Sequence, residues 1–320
     1  MTVENWWPLV NLWPLDVLLR MASSKAVLLM LLLVRLPSPW ASSSRSCSDS
    51  PPPSAEGPSC PRDLIEDQVL RGLRERIHAS GSWRPFVTLT WAQSIDGSIA
   101  AADGSPVQLS GPESLLMTHG LRATHDAILI GRGTALADNP RLTDRFWQSS
   151  PARHQPRAVI LDPTLASLAD GGGIVDRLTN PLIFASATAC RDCTSVGEEV
   201  EIVPCAIDEA GRCSLRDCLE ILRQKGCRSL MVEGGAQIIS SFLQHGMVDH
   251  ILVTLSPIFI GGKTIPFLEV QSDLTKARSW IQLGHDAILS LSTSRHDGGD
   301  NNDGESKEPA SFSSAGLSPG

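Results

Sequence analysis

Short, near-continuous apolar runs recur along this chain, and helical segments separate several of them; that rhythm restricts the fold more than any other feature. The runs are Phe86 to Trp91, Ala127 to Ile130, Ala158 to Leu161, Leu182 to Ala185, Ile202-Val203, Leu230 to Val232, Ile251 to Leu255 and Ala287 to Leu291. Runs without polar alternation mark strands covered on both faces. Ser214 to Lys225, opened by a Ser214…Asp217 capping box, and Ala236 to Gln244, stopped at Gly246, read as helices. A third helix opens at a Ser110…Glu113 box and lasts to about Ala123. Strands alternating with helices predict an α/β fold around a mostly parallel central sheet of about eight strands, closed late by antiparallel pairing. Ligands of such sheets sit at the carboxyl ends of the strands, so motifs directly after strands carry the functional weight.

With 320 residues, 42% of them apolar, the chain can bury one full-sized core and still carry extensions. Four segments are expected. Residues 1–60 are a targeting-like stretch and linker, 61–83 an amphipathic helix, 84–295 the main domain and 296–320 a disordered acidic tail. The tail holds Asp297, Asp300, Asp303, Glu305 and Glu308 against Lys307 alone, so the net charge of −8 leaves the folded part only mildly acidic. No Lys/Arg-rich stripe is present, which argues against a nucleic-acid partner. The apolar run Ala26 to Val34 is too short to span a bilayer. The acid-free, Ser-rich stretch from Val17 to Ser48 fits either a signal peptide or an organelle transit peptide, with the cytosol as the remaining compartment. Leu64, Ile65, Val69, Leu73 and Ile77 recur at helical spacing, giving the helix over 61–83 a structural role.

Several chemistries drop out. Tyrosine is absent, which removes every mechanism that needs a phenolic proton donor. A zinc deaminase needs H-x-E followed by P-C-x-x-C, and none of the eight histidines is followed two residues later by Glu. Cys190 and Cys193 form a single C-x-x-C without a matching second pair, so no metal site is expected. Gly261-Gly262-Lys263-Thr264 imitates the end of a P-loop, but Pro257 stands where that motif needs glycine. Gly131-Arg132-Gly133 follows a strand, yet Leu136 replaces the third glycine of a dinucleotide fingerprint.

Three features remain. Thr134 and Asp138 put a hydroxyl and a carboxylate one helical turn apart, though Asp138-Asn139-Pro140 also fits a plain Asx turn. Glu233-Gly234-Gly235-Ala236 leaves the Leu230 to Val232 strand and enters a helix, so open backbone N–H groups face the ligand edge, where a pyrophosphate fits. Arg122, Arg141 and Arg145 straddle the loop between residues 131 and 140, and their forks suit a phosphate ester. His119 and His125, near the first core helix's end, read as caps or surface groups.

Four ordered blocks, Thr88 to Gly97, Leu121 to Gly131, Gly133 to Thr143 and Val232 to Ala236, together resemble the riboflavin-pathway pyrimidine reductases over about residues 84–292. Met117-Thr118-His119 and Ala92-Gln93-Ser94 resemble the stand-alone fungal type more than the bacterial reductase fused to a deaminase. The resemblance implies a dihydrofolate-reductase-like three-layer fold, NADPH as cofactor, a homodimer, and a ribosylamino-pyrimidinone 5′-phosphate substrate reduced to its ribitylamino product. By position, it implies that Ala92, Thr134, Asp138, Pro163, Gly234, Gly235, Ala236 and Gln237 hold NADP. Arg122, Leu142, Arg145 and Glu233 would line the substrate, with Arg122 and Arg145 on the phosphate and Glu233 as the catalytic carboxylate. Pro106 and Gln108 replace a serine and an aromatic of the fused bacterial relatives. Two rivals share the fold: a dihydrofolate-type pterin reductase and an NADP-binding protein without turnover.

Overall fold

In the computed structural model, which describes residues 60–147, 155–171, 177–193, 199–266 and 278–293, each apolar run forms a strand. The strands are β1 (Phe86–Ser94), β2 (Ser98–Ala100), β3 (Ala127–Gly131), β4 (Arg157–Leu161), β5 (Leu182–Ser186), β6 (Glu201–Cys205), β7 (Ser229–Gly234), β8 (His250–Ser256), β9 (Lys263–Thr264), β10 (Arg278–Leu283) and β11 (Asp286–Ser292). The helices are α1 (Pro61–Ile65), which passes through a π turn (Glu66–Leu70) into α2 (Arg71–Ala79), then α3 (Pro112–Thr124), α4 (Arg132–Asp138), α5 (Ala187–Asp192), α6 (Leu215–Gln224) and α7 (Ala236–Gln244). The expected targeting segment, linker and acidic tail lie outside the described residues.

Nine strands form one sheet in the order β10-β11-β8-β1-β7-β3-β4-β5-β6. From β8 to β6 every pairing is parallel, and β11 and β10 close the other edge antiparallel. The parallel strands read as unbroken apolar runs because both faces are buried. Val87, Leu89, Leu129, Val159, Phe184 and Val232 pack with Leu219 and Leu222 of α6 and Ile239 and Phe242 of α7. Their sequence neighbours Ile128, Ile130, Ile160, Ile183 and Met231 face the other way, onto Leu73 and Ile77 of α2 and Met117 and Leu121 of α3. Each such side chain contributes about 1.5–3 kcal/mol through burial. The result is the expected three-layer, mostly parallel α/β fold.

The Ser110…Glu113 box does not form. Gly111 is the N-cap of α3 and its own N–H donates to Asp286 Oδ2 at 2.8 Å, while Pro112, at the first helical position, has no N–H to satisfy. The Ser214 cap of α6 does form, with Asp217 N–H donating to Ser214 Oγ at 3.4 Å. Cys205, Cys213 and, on α6 itself, Cys218 are buried in the core, and Cys190 and Cys193 are half-buried at α5.

Three histidines sit inside the molecule, contrary to the surface-or-cap reading of His119 and His125. His125 is fully buried; its Nδ1–H donates to Leu121 O at 2.7 Å, closing the last turn of α3, so Nε2 accepts from Thr88 Oγ1 at 2.8 Å. Its cap role holds and its exposure does not. His250, the β8 residue paired with Thr88, lies 3.3 Å from Ser290 Oγ through Nε2. Burial first, and nearby arginines second in the case of His119 and His250, pull the pKa values down to about 4 for His119 and His125 and about 3 for His250. An unfolded chain therefore takes up protons on these three rings near pH 6.5 that the folded chain refuses. Stability should be fully present above about pH 6.5 and fall continuously as pH drops toward 4. Urea midpoints measured from pH 7.5 to 4.5 should decline, and a flat series would contradict burial of neutral rings.

Candidate active site

The site begins with a split in the sheet. β1 pairs with β7 only from Phe86/Ser229 to Leu89/Val232, whereas it stays paired with β8 as far as Ser94/Ser256. On the other side of β7 the register with β3 jumps from Leu129/Val232 to Ile130/Gly234. Glu233 is the extra residue of that bulge and pairs with neither neighbour. A bulge at a strand end re-aims its side chain, and here it delivers a carboxylate into the cleft between the carboxyl ends of β1 and β7. The chain leaves β1 toward α3 and β3, while β7 inserts between them, so this cleft is the crevice where such sheets bind ligands.

Arg122 reaches Glu233 from α3. Its Nε and Nη2 donate to the two carboxylate oxygens at 2.6 and 2.7 Å, and Nη1 donates to Thr143 O at 3.2 Å. The side chains are only 13% and 16% exposed, so this is a fork-to-fork pair in a half-dry setting. Burial, the largest single influence, would lower the Arg122 pKa, but the Glu233 charge, its hydrogen bonds and the Asp144 charge together outweigh it and the value is raised. Three of the five guanidinium N–H groups are thereby engaged, which shifts the burden of holding a phosphate toward Arg145. Arg145 forms no ion pair among the described residues. Its pKa is lowered by burial and then by Arg122 and Arg141, so three guanidinium groups lie close enough to repel one another. The Asp144 and Glu233 carboxylates offset part of that repulsion, and the remaining positive charge suits an anionic ligand.

The loop carrying Arg145 is tied down at several points. Asp144 Oδ1 accepts the N–H groups of Phe146 and Trp147 at 3.1 and 2.9 Å, and the Asp144 N–H donates to Gln155 Oε1 at 2.9 Å. Arg62 of α1 donates to the carbonyls of Trp147 and Phe146, and its guanidinium stacks 4.8 Å from the Trp147 ring. Leu142 adopts φ +50° and is buried, backbone included, at 1% exposure. A branched residue in the left-handed region is held there by its surroundings. His119, missed as a site residue, accepts the Arg145 N–H on Nδ1 at 2.9 Å. Its Nε2–H is buried with no partner among the described residues. One signal was available: His119 precedes Arg122 by three residues, hence shares its helix face.

Beyond the cleft lies the glycine turn. Gly234 and Gly235 have φ +96° and +90°, a region closed to most side chains. A Cβ on Gly235 would lie 2.6 Å from Thr134 Oγ1, and one on Gly234 would lie 2.9 Å from Ile239 Cδ1. Thr134 Oγ1 donates to Gly234 O at 3.3 Å, joining α4 to the turn. Gly235 is the N-cap of α7, so the first N–H groups of that helix, from Ala236 and the exposed Gln237 onward, open on the same edge. Asp138 ends α4, exposed, with burial of its carboxyl raising the pKa. Asn139 follows in the left-handed conformation as a helix C-cap, its N–H donating to Ala135 O at 3.1 Å. Ala92 lies on β1 beside the cleft. Pro163 follows β4, and its carbonyl accepts the Ser186 N–H at 3.0 Å, leaving chiefly its ring to a ligand.

A parallel sheet whose central cleft opens between a close-approach glycine turn and a cluster of arginines defines an α/β protein with an anion-suited crevice at the carboxyl ends of its strands. Within that class the family can be stated. Residues 85–289 match the model of the RibD C-terminal domain, and the chain belongs to that family. It is 36% identical over 211 residues to the 2,5-diamino-6-ribosylamino-4(3H)-pyrimidinone 5′-phosphate reductase of Debaryomyces hansenii, covering 59% of this chain and 81% of the relative. Against the enzyme of that name from Archaeoglobus fulgidus it is 34% identical over 202 residues, 61% of this chain and 91% of the relative. The solved Saccharomyces cerevisiae riboflavin biosynthesis reductase Rib7 superposes with a TM-score of 0.57 at 27% identity, covering 72% of this chain and 98% of that one. No helix among the described residues is long and apolar enough to cross a membrane.

Proposed function

We propose that this chain uses NADPH to reduce the ribosylamino side chain of 2,5-diamino-6-ribosylamino-4(3H)-pyrimidinone 5′-phosphate to the ribitylamino product. The observation that carries the reading is the Arg122–Glu233 clamp standing in the β1/β7 split, with Arg145, which forms no ion pair among the described residues, on one side and the Gly234-Gly235 turn on the other. The turn fits a dinucleotide: its two glycines admit backbone at a distance that any side chain would close off, and Thr134 lines the other wall. In this reading Ala92, Thr134, Asp138, Pro163 and Gly234 to Gln237 hold NADPH, whose nicotinamide supplies a hydride to C1′ of the substrate.

The residues of the chain then have positional and electrostatic work. Arg145, with Arg141 nearby, meets the 5′-phosphate. Arg122 holds Glu233 in one rotamer. Once the sugar opens, C1′ becomes an imine carbon carrying partial positive charge, and the Glu233 carboxylate stabilises that charge where it develops. With both ligands bound, these residues would hold the reacting carbons at near-attack distance, and that positioning would supply the remaining acceleration. No side-chain nucleophile is needed.

A pterin reductase would want its carboxylate in the pocket of the first core helix. Glu113 instead stands at the N-terminus of α3 against the β10–β11 turn, where a Cβ on Gly284 would meet its oxygen. The test offers the full chain with NADPH the diamino pyrimidine substrate, its deaminated analogue or dihydrofolate, and follows NADPH absorbance. Consumption is expected with the diamino compound, and Arg145→Ala should raise its KM about tenfold or more. Turnover with dihydrofolate alone, or with none of the three, would end the proposal.

A further inference from the structure

We infer that His119 is a positioning residue: it anchors the backbone of Arg145, and thereby sets where the guanidinium meets the substrate phosphate. The inference rests on the role proposed above for Arg145. With no carboxylate partner among the described residues, the Arg145 side chain stacks only on its neighbour Phe146, 5.6 Å from the ring centre. The place of its charge therefore follows the backbone, and the backbone N–H is bound by His119 Nδ1 at 2.9 Å.

Two polar groups among the described residues meet the imidazole, the Arg145 N–H and the Asp144 carboxylate. It is fully buried in α3, with the Phe146 ring edge-on at 4.5 Å. The Asp144 carboxylate lies 3.3 Å from Nδ1, but its Oδ1 is already the acceptor for the two following amides. For Nδ1 to accept from Arg145 the ring must be neutral with its proton on Nε2. Burial first, then Arg122 and Arg145, outweigh the opposing Asp144 carboxylate and hold it in that neutral form down to about pH 4, so the lone pair is available throughout the neutral range. An apolar residue would fill the space but leave the Arg145 N–H buried without an acceptor, and the loop would move to find one.

The experiment compares wild type with His119→Leu, His119→Asn and His119→Gln, using NADPH and either the phosphorylated substrate or its 5′-hydroxyl analogue. His119→Leu should raise KM for the phosphorylated substrate about tenfold, leave kcat and NADPH affinity within twofold, and leave kcat/KM for the hydroxyl analogue unchanged. Asn keeps an oxygen near the Nδ1 position and should restore the phosphate preference; Gln carries its oxygen toward the Nε2 position and should not. Equal behaviour of Asn and Gln would overturn the inference even if the Leu variant fails to fold. If Arg145→Ala erases the phosphate preference while His119→Leu keeps it, this inference fails alone. If Arg145→Ala also keeps it, the reading of Arg145 fails first.

Discussion

Glu233→Gln should lower kcat about 100-fold or more, equivalent to about 2.7 kcal/mol of transition-state stabilisation, while KM for the phosphorylated substrate stays level or falls. The split follows from where the charges sit. In the ground state Glu233 partly offsets Arg122 within a group that also includes Arg145 and Arg141. Removing one negative charge makes the cleft more positive, which favours an incoming phosphate. The same loss removes the counter-charge for positive C1′, which exists only after the sugar opens. A glutamine oxygen can still accept one N–H of Arg122, but its amide turns two donors toward a fork made only of donors. The Arg122 charge, largely buried, is then unpaired, and some loss of thermal stability should accompany the kinetic one. Turnover within threefold of wild type, in a variant that stays folded, would show that the carboxylate has no part in the reaction. A proportional rise in KM at constant kcat would instead assign it to simple substrate binding.

The central sheet was legible because its strands are covered twice. Residues such as Ile128 and Leu129 face opposite cores, so both had to be apolar, and the run declared itself. β10 was not found: Arg278 to Leu283 alternates along an edge, with Trp280 62% exposed, and short amphipathic alternation is a weak signal. The two-residue β9 and its partner β2 leave almost none. At the site, local motifs were readable and their meeting was not. The glycine turn announced open backbone N–H groups and Thr134 a hydroxyl near Asp138, but only the insertion of β7 between β1 and β3 brings Arg122 to Glu233, 111 residues along the chain. The reading that sets Arg122 on the phosphate carries no sign of its engagement with that carboxylate. His119 was misjudged for a related reason, since a histidine near a helix end looks exposed until a loop from elsewhere is laid over it. The helix before the domain likewise does more than pack. Arg62 fastens the loop next to Arg145 from outside the span matched by the family model.

Gly235→Ala should weaken NADPH affinity about 100-fold, or about 2.7 kcal/mol, while Gly133→Ala, next to Thr134 in the chain, should leave affinity unchanged. At position 235 two costs coincide. The backbone sits at φ +90°, ψ 136°, where an L side chain is strained by about 1–3 kcal/mol, and the new methyl would lie 2.6 Å from Thr134 Oγ1. Relief requires moving either the N-cap of α7 or Thr134, and in the proposed site both line the dinucleotide. A methyl on Gly133 would meet no atom within 4 Å, and the residue has no positive φ, so alanine there merely favours the helix. A second substitution separates the two costs. Thr134→Ala in the Gly235→Ala background removes the atom in collision, leaving the backbone strain and the loss of the threonine hydroxyl. Calorimetric titration with NADPH should therefore find the double variant no weaker than Gly235→Ala alone, a non-additive result that independent sites would not give. Wild-type affinity in Gly235→Ala would mean that the cofactor does not approach this turn, and the glycines would then serve only the packing of α7 on the sheet.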